Sequence, residues 1–188
     1  MKVLHIFDFD DTLIRSDDTV YIHHADGTET ELDSEGFAKY VEQPGDVFDY
    51  SSFDEYPPNA NLIEQVFSEL KSSIALDGLG SVVILTARSN PVPVREFLSD
   101  NGIDGIEIVA TGTSNPMAKA QYVLNRVKTG DFNEVRVFED NVQNIRTIEK
   151  VVEPTGVRLR SNRVTSSGVL SEGRRGPYTY SPWDFSNV

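Results

Sequence analysis

The chain has no cysteine among its 188 residues. Disulfides and thiolate metal centres are therefore excluded, and any bound metal must be held by oxygen or histidine. Histidine is scarce as well. His5 lies inside an apolar run and His23 and His24 are neighbours, so a histidine-built metal centre is a poor expectation. Positive charge is the third shortage: 17 Lys and Arg face 30 Asp and Glu, for a formal charge of -13. That balance disfavours general binding to a phosphate backbone, which needs basic surface. It does not exclude action on one phosphate in a metal site. No apolar run approaches the about 20 residues of a membrane helix, and Asp8 interrupts the N-terminal run too early for a signal segment. A soluble, cytoplasmic protein without membrane partners is expected. Repeats and low-complexity tracts are also missing, and 188 residues suit one domain with a small insertion.

What is present is a regular alternation. Residues 2–8 read as a buried strand, and "TVYI" (19–22) with "ETEL" (29–32) as a hairpin around "ADGT". "SEGFAKYV" (34–41) reads as a short helix, and the Pro-, Gly- and Asp-rich run after it, to Asn59, as an irregular loop. From residue 61 the period becomes helical, with Leu62, Val66 and Leu70 on one face. Further strands are expected at 81–87, 106–111, 134–140 and 156–160. Helices are expected from Asn90-Pro91 to Asn101-Gly102, over 115–128 with Met117, Ala120, Leu124 and Val127 inward, and around Val142, Ile145 and Ile148. The last ~25 residues lack periodicity and read as a tail. This pattern predicts an α/β fold: a three-layer, Rossmann-like parallel sheet with helices on both faces and a small hairpin and loop insertion after strand one. The expected division is a core over 1–165, including a cap-like insertion at 14–58, and a C-terminal tail at 166–188 carrying Arg174 and Arg175.

In such sheets ligands sit beyond the carboxyl ends of the strands. Polar residues gather there: Asp8, Asp10, Asp11 and Thr12 after strand one, Thr86-Ala87-Arg88 after the second core strand, and Glu139-Asp140-Asn141 after the fourth. Lys119 lies near the start of the intervening helix. Each has an ordinary explanation alone, as turn former, strand end, surface charge or helix cap. Together they make a chemical set. A turn after strand one can aim Asp8 and Asp10 at one point. Clustered carboxylates repel unless a cation neutralises them, and oxygen ligands suit Mg²⁺. Asp140 arrives from another strand to complete the set. Thr86 can donate to a phosphoryl oxygen, and Lys119 can supply fixed positive charge. One carboxylate can attack phosphorus while a second protonates the leaving oxygen. Arg88 can either clamp substrate or pair with an acid.

"DFDDT", "ILTAR", a later helical lysine and "FEDNVQN" resemble, in order, the four motifs of the haloacid dehalogenase (HAD) superfamily, from residue 3 to about 150. The resemblance implies Asp8 as a nucleophile that forms an aspartyl-phosphate and Asp10 as general acid and base. It implies Mg²⁺ on the Asp8 side chain, the Asp10 carbonyl and the Asp140 side chain, with Glu139 the competing metal contact. Substrate would meet Thr86, Ala87, Arg88 and Lys119. An aspartate at position 10 implies a phosphatase or phosphotransferase rather than a dehalogenase. Two positions depart from the pattern, Glu139 before the metal aspartate and Asn144 four residues after it.

The chain between the first two motifs has room only for a small cap. A partly roofed site suits a phosphate on something bulky, such as a polynucleotide end, and the layout is loosely similar to phosphatase domains of polynucleotide end-repair proteins. The negative charge weighs against a nucleic-acid partner, and a small phosphometabolite is the competing substrate. A receiver domain is disfavoured because no aspartate follows the third strand, where "TGTSN" stands. A catalytically silent binding or structural module is the non-enzymatic alternative.

Overall fold

A computed structural model describes residues 2–33, 36, 37, 40–130, 132–166 and 168–175. The core is one six-stranded sheet. Strand β1 (Val3–Phe7) is followed by the two-residue β2 (Ile14–Arg15), then by β3 (Val20–His23), β4 (Glu29–Leu32) and β5 (Val47–Asp49). After β6 (Asn61–Leu62) come α1 (Glu64–Asp77), β7 (Val82–Thr86), α2 (Val92–Asp100), β8 (Glu107–Ala110) and α3 (Pro116–Thr129). The chain continues through β9 (Glu134–Glu139), α4 (Val142–Val152), β10 (Arg158–Thr165) and β11 (Gly168–Arg175). The sheet order is β11-β10-β9-β1-β7-β8. Five of these strands run parallel, and β11 closes the edge antiparallel to β10.

Alternating side chains of the central strands feed two apolar layers. On one face Phe7, Ile84 and Phe138 pack with Val66, Phe67 and Leu70 of α1 and with Val94, Phe97 and Leu98 of α2. On the other, Leu4, Ile6, Val83, Leu85 and Val137 pack with Ala120, Val123 and Val127 of α3 and Ile148 and Val152 of α4. The expected α/β sandwich, helices on both faces of a parallel sheet, is therefore observed. Fully burying each such side chain stabilises by roughly 1.5–3 kcal/mol.

Four local expectations change. The loop after residue 41 contains β5, which pairs with β3 through Ile22↔Phe48 and completes a three-stranded sheet β4-β3-β5. Its short apolar stretch is masked in sequence by flanking Gly and Asp. Residues 61 and 62 are strand, not helix: Asn61 and Leu62 pair with Arg15 and Ile14 and close the neck of the insertion. Residues 168–175, expected within the tail, form β11, because backbone pairing at an edge needs no apolar period. Helix α3 buries Lys119, Ala120, Val123 and Val127 while Met117 stays 49% exposed. The inward face is rotated so that a lysine occupies a core position. Of the helix expected at 34–41, residues 34, 35, 38 and 39 lie outside the described residues, as does the tail beyond 175.

Candidate active site

The register of β1 against β9 builds the site. Phe7 pairs with Phe138, and their rings stack at 4.6 Å between centroids. The ladder runs one bond further, from Asp8 N–H to the Phe138 carbonyl at 3.0 Å. Asp8 is thus delivered beside Glu139 and Asp140 by strand pairing. The chain then turns sharply. The N–H groups of Thr12, Leu13 and Ile14 all converge on the Phe9 carbonyl, and Asp11 adopts a left-handed conformation, φ 56°, which aspartate tolerates better than most residues. Phe9 anchors the turn, fully buried and edge-on to Phe97.

Asp8, Glu139 and Asp140 each offer an oxygen within 4.8 Å of the others. Lys119 lies between the first two, with Nζ 2.7 Å from Asp8 Oδ1 and 2.8 Å from Glu139 Oε2. Glu139 Oε1 also accepts the Asn141 N–H at 3.1 Å. Thr12 Oγ1 sits 3.5 Å from Asp8 Oδ2 and 3.3 Å from Asp140 Oδ1, its one proton shared between them. Burial, with Glu139 nearby, pushes Asp8 up to about 6 despite Lys119. Burial together with Asp8 and Glu139 pushes Asp140 up to about 9. Burial alone would lower Lys119, but the two carboxylates outweigh it and hold the ammonium well above its usual range. Three carboxylates share one ammonium, so the cluster is under-neutralised. A hard divalent cation with oxygen ligands fits that donor set. Glu139 has both oxygens held by close protein donors, whereas Asp8 Oδ2 and Asp140 Oδ1 share the longer contacts to Thr12 Oγ1, at 3.5 and 3.3 Å, and are the more weakly held ligands.

Asp10 is not aimed at the same point. Its carboxylate faces Arg88, whose Nε lies 2.9 Å from Oδ2 and whose Nη2 lies 2.7 Å from Oδ1. Burial pushes Asp10 up to about 6, against the pull of Arg88. The turn after β1 therefore splits the two carboxylates that the sequence suggested would converge. Its side chain is outside the cluster of possible metal ligands. Thr86 is fully buried at the end of β7 and its Oγ1 accepts the Arg88 N–H at 3.1 Å. Ala87 is exposed beside it. Asn144 is buried one turn into α4.

No protein-family model matches the chain, and no curated protein or solved structure matches it. The functional reading therefore stands on this geometry. No helix among the described residues is long and apolar enough to cross a membrane.

Two residues of the site were given no role by the sequence. Thr12 was visible as the last residue of "DFDDT", at a fixed distance from Asp8. Asp18, 2% exposed and bound to Arg88 Nη2 at 2.6 Å, had no such signal.

Proposed function

We propose that the protein is a Mg²⁺-dependent phosphomonoester hydrolase of the HAD type, acting through an aspartyl-phosphate on Asp8. The observation that carries this reading is the convergence of Asp8, Glu139 and Asp140 around one buried lysine. Asp8 and Asp140 would hold the ion, and Glu139 would orient Lys119. Bound Mg²⁺ supplies the positive charge that lets a phosphate dianion approach a carboxylate.

The chain's own groups do the rest. In the first step the Asp8 carboxylate forms a bond to phosphorus while the bond from phosphorus to the ester oxygen breaks. The proton on Asp10 passes to that leaving oxygen. In the second step Asp10 takes a proton from water, the water oxygen attacks phosphorus, and the Asp8–phosphorus bond breaks to restore the carboxylate. Asp10 suits both roles because its pKa of about 6 lies near neutrality. Lys119 neutralises charge that builds on the phosphoryl oxygens. The Thr86 hydroxyl accepts one bond at Oγ1 and keeps its own proton to donate.

Phosphate release from nitrophenyl phosphate, with and without Mg²⁺, tests the reading. Release that depends on Mg²⁺ and disappears in Asp8→Asn supports it. A wild type silent on nitrophenyl phosphate, sugar phosphates and a 3′-phosphorylated oligonucleotide alike would sink it and favour a binding module. Charge favours the sugar phosphates as substrates: the chain carries -13 overall, which opposes a polyanionic strand.

A further inference from the structure

Arg88 is fully committed to protein partners. Its five N–H groups are all directed at protein acceptors. Nε faces both Asp10 oxygens, at 3.2 and 2.9 Å. Nη2 reaches Asp10 Oδ1 at 2.7 Å and Asp18 Oδ2 at 2.6 Å. Nη1 donates to the carbonyls of Phe53 and Glu55, at 2.8 and 3.2 Å. The guanidinium also lies over the rings of Phe9 and Phe53. Only 1% of the side chain is exposed. A clamp on substrate needs free donors, and Arg88 has spent its own.

The acceptors divide informatively. Asp10 belongs to the turn after β1. Asp18, Phe53 and Glu55 belong to the insertion, at the start of its small sheet and just after it. Asp18 is itself held from both sides, by Ser16 Oγ at 2.6 Å and Ser52 Oγ at 3.0 Å. Next to Arg88, Ser89 Oγ donates to Asp54, and Asn90 Nδ2 donates to the Asp54 carbonyl. The Asp10 carboxyl is therefore fixed by a fork whose other arms grip the insertion.

We propose that Arg88 is a positioning residue for proton transfer: with Asp18 and the 51–55 turn it holds the Asp10 carboxyl in a single orientation, so that the insertion forms part of the acid–base geometry. This rests on the phosphatase reading above and deepens it at Asp10. A bidentate fork is the natural device, because it restrains both position and plane of a carboxyl, which a lysine does not. Displacement of a reacting group by about 1 Å costs on the order of 10²-fold in rate. The rival account makes Arg88 a strap that fastens the insertion to the core with no bearing on proton transfer.

Leaving-group chemistry separates the two. An alkyl phosphate needs a proton on its departing oxygen, whereas nitrophenolate leaves without one. The parameter kcat/KM covers the steps up to the first irreversible one, here formation of the aspartyl-phosphate. With saturating Mg²⁺, Arg88→Lys is expected to lower kcat/KM by about 10²-fold on an alkyl phosphate and by about threefold or less on nitrophenyl phosphate. Asp10→Asn sets the reference pattern, and Asp18→Asn, which keeps the Arg88–Asp10 fork but frees its far arm, gives the same asymmetry at smaller size. Should Arg88→Lys fail to give a cooperative melt, Asp18→Asn carries the test alone. The Mg²⁺-induced rise in melting temperature stays at its wild-type value in both variants, because neither side chain reaches Asp8, Glu139 or Asp140. Equal losses on the two esters overturn the proposal and leave the phosphatase reading standing. Loss of the Mg²⁺ response also overturns it, by placing Arg88 in the ion site. A wild type inactive on both esters removes the phosphatase reading and this proposal together.

Discussion

Two buried clusters flank the turn after β1, and each sets one cation among acids. Around Lys119 stand Asp8, Glu139 and Asp140. Around Arg88 stand Asp10 and Asp18. The cations differ in what they leave over. A lysine ammonium is a point charge with three donors, and here it meets one oxygen on each of two carboxylates while Asp140 is left with part of a Thr12 hydroxyl. An arginine fork has five donors, and every one is used, with insertion carbonyls taking those the acids do not. The Lys119 cluster is short of positive charge and suits a visiting cation. The Arg88 cluster is complete and suits rigidity. Burial of charge is tolerated in both cases only with such partners, and on the proposed function the difference is a division of labour: one pocket to gather charge, the other to hold a proton donor still.

The largest expected effect removes the proposed nucleophile. Asp8→Asn keeps shape and volume and should lower phosphate release by at least about 10³-fold, measured with nitrophenyl phosphate and Mg²⁺. Its melting temperature near pH 8 should not fall, because folding raises the pKa of Asp8 to about 6 and thus works against its charged form. A variant that loses activity only by unfolding would break the contrast drawn here. Next in size is Lys119→Met. It strips the under-neutralised cluster of its only ammonium and should cost about 3–5 kcal/mol in metal-free buffer, by denaturant melts. Mg²⁺ should restore part of that loss. No restoration would mean the carboxylates do not gather a divalent ion.

One side of this contrast, the Lys119 cluster, is legible in the sequence. The predominantly apolar runs at 2–8 and 81–87 read as buried strands, and a parallel order brings their ends to one rim. Asp8, Lys119 and Asp140 were legible because each stands at a strand end or helix start. What sequence could not show is the second cluster. Asp18 lies 70 residues from Arg88, and nothing in "SDD" distinguishes a buried partner from a turn former. The divergence of Asp8 and Asp10 depends on the left-handed Asp11 and on three N–H groups sharing the Phe9 carbonyl, which are properties of the folded turn. Helix α3 misled for a related reason. Periodicity counts Met117 and Leu124 as inward, yet Met117 is exposed and Leu124 half-buried, because the helix is turned to point Lys119 at Asp8 and Glu139. Strand β11 was hidden because its place is set by backbone pairing at the edge.

A titration sharpens the comparison further. Asp8 and Asp140 rise to about 6 and about 9 from an ordinary 3.8. Between those values and 3.8 the folded state holds more protons than the unfolded chain, so the stability of the metal-free protein should fall as pH rises from about 4 to about 9. A cation binds the deprotonated form, and the Mg²⁺-induced shift in melting temperature should therefore be small at pH 5 and grow toward pH 9. Asp140→Asn should flatten the upper part of the metal-free curve and shrink the shift. A pH-independent shift would place the ion elsewhere.

The smallest effect probes the completed cluster. Ser52→Ala deletes the hydroxyl that donates to Asp18 Oδ1 at 3.0 Å and accepts the Thr19 N–H at 3.2 Å. Arg88 and Ser16 still hold the other Asp18 oxygen, so the acid keeps its charge partner. The cost should be about 1 kcal/mol, the usual net value of a hydrogen bond, read as a lower denaturant midpoint at unchanged slope. The Mg²⁺ response should not move, since Ser52 lies in the Arg88 cluster and away from the proposed ion site. If Ser52→Ala instead weakened Mg²⁺ binding, the two pockets would be one coupled site, and the division between gathering charge and holding a proton donor would fail.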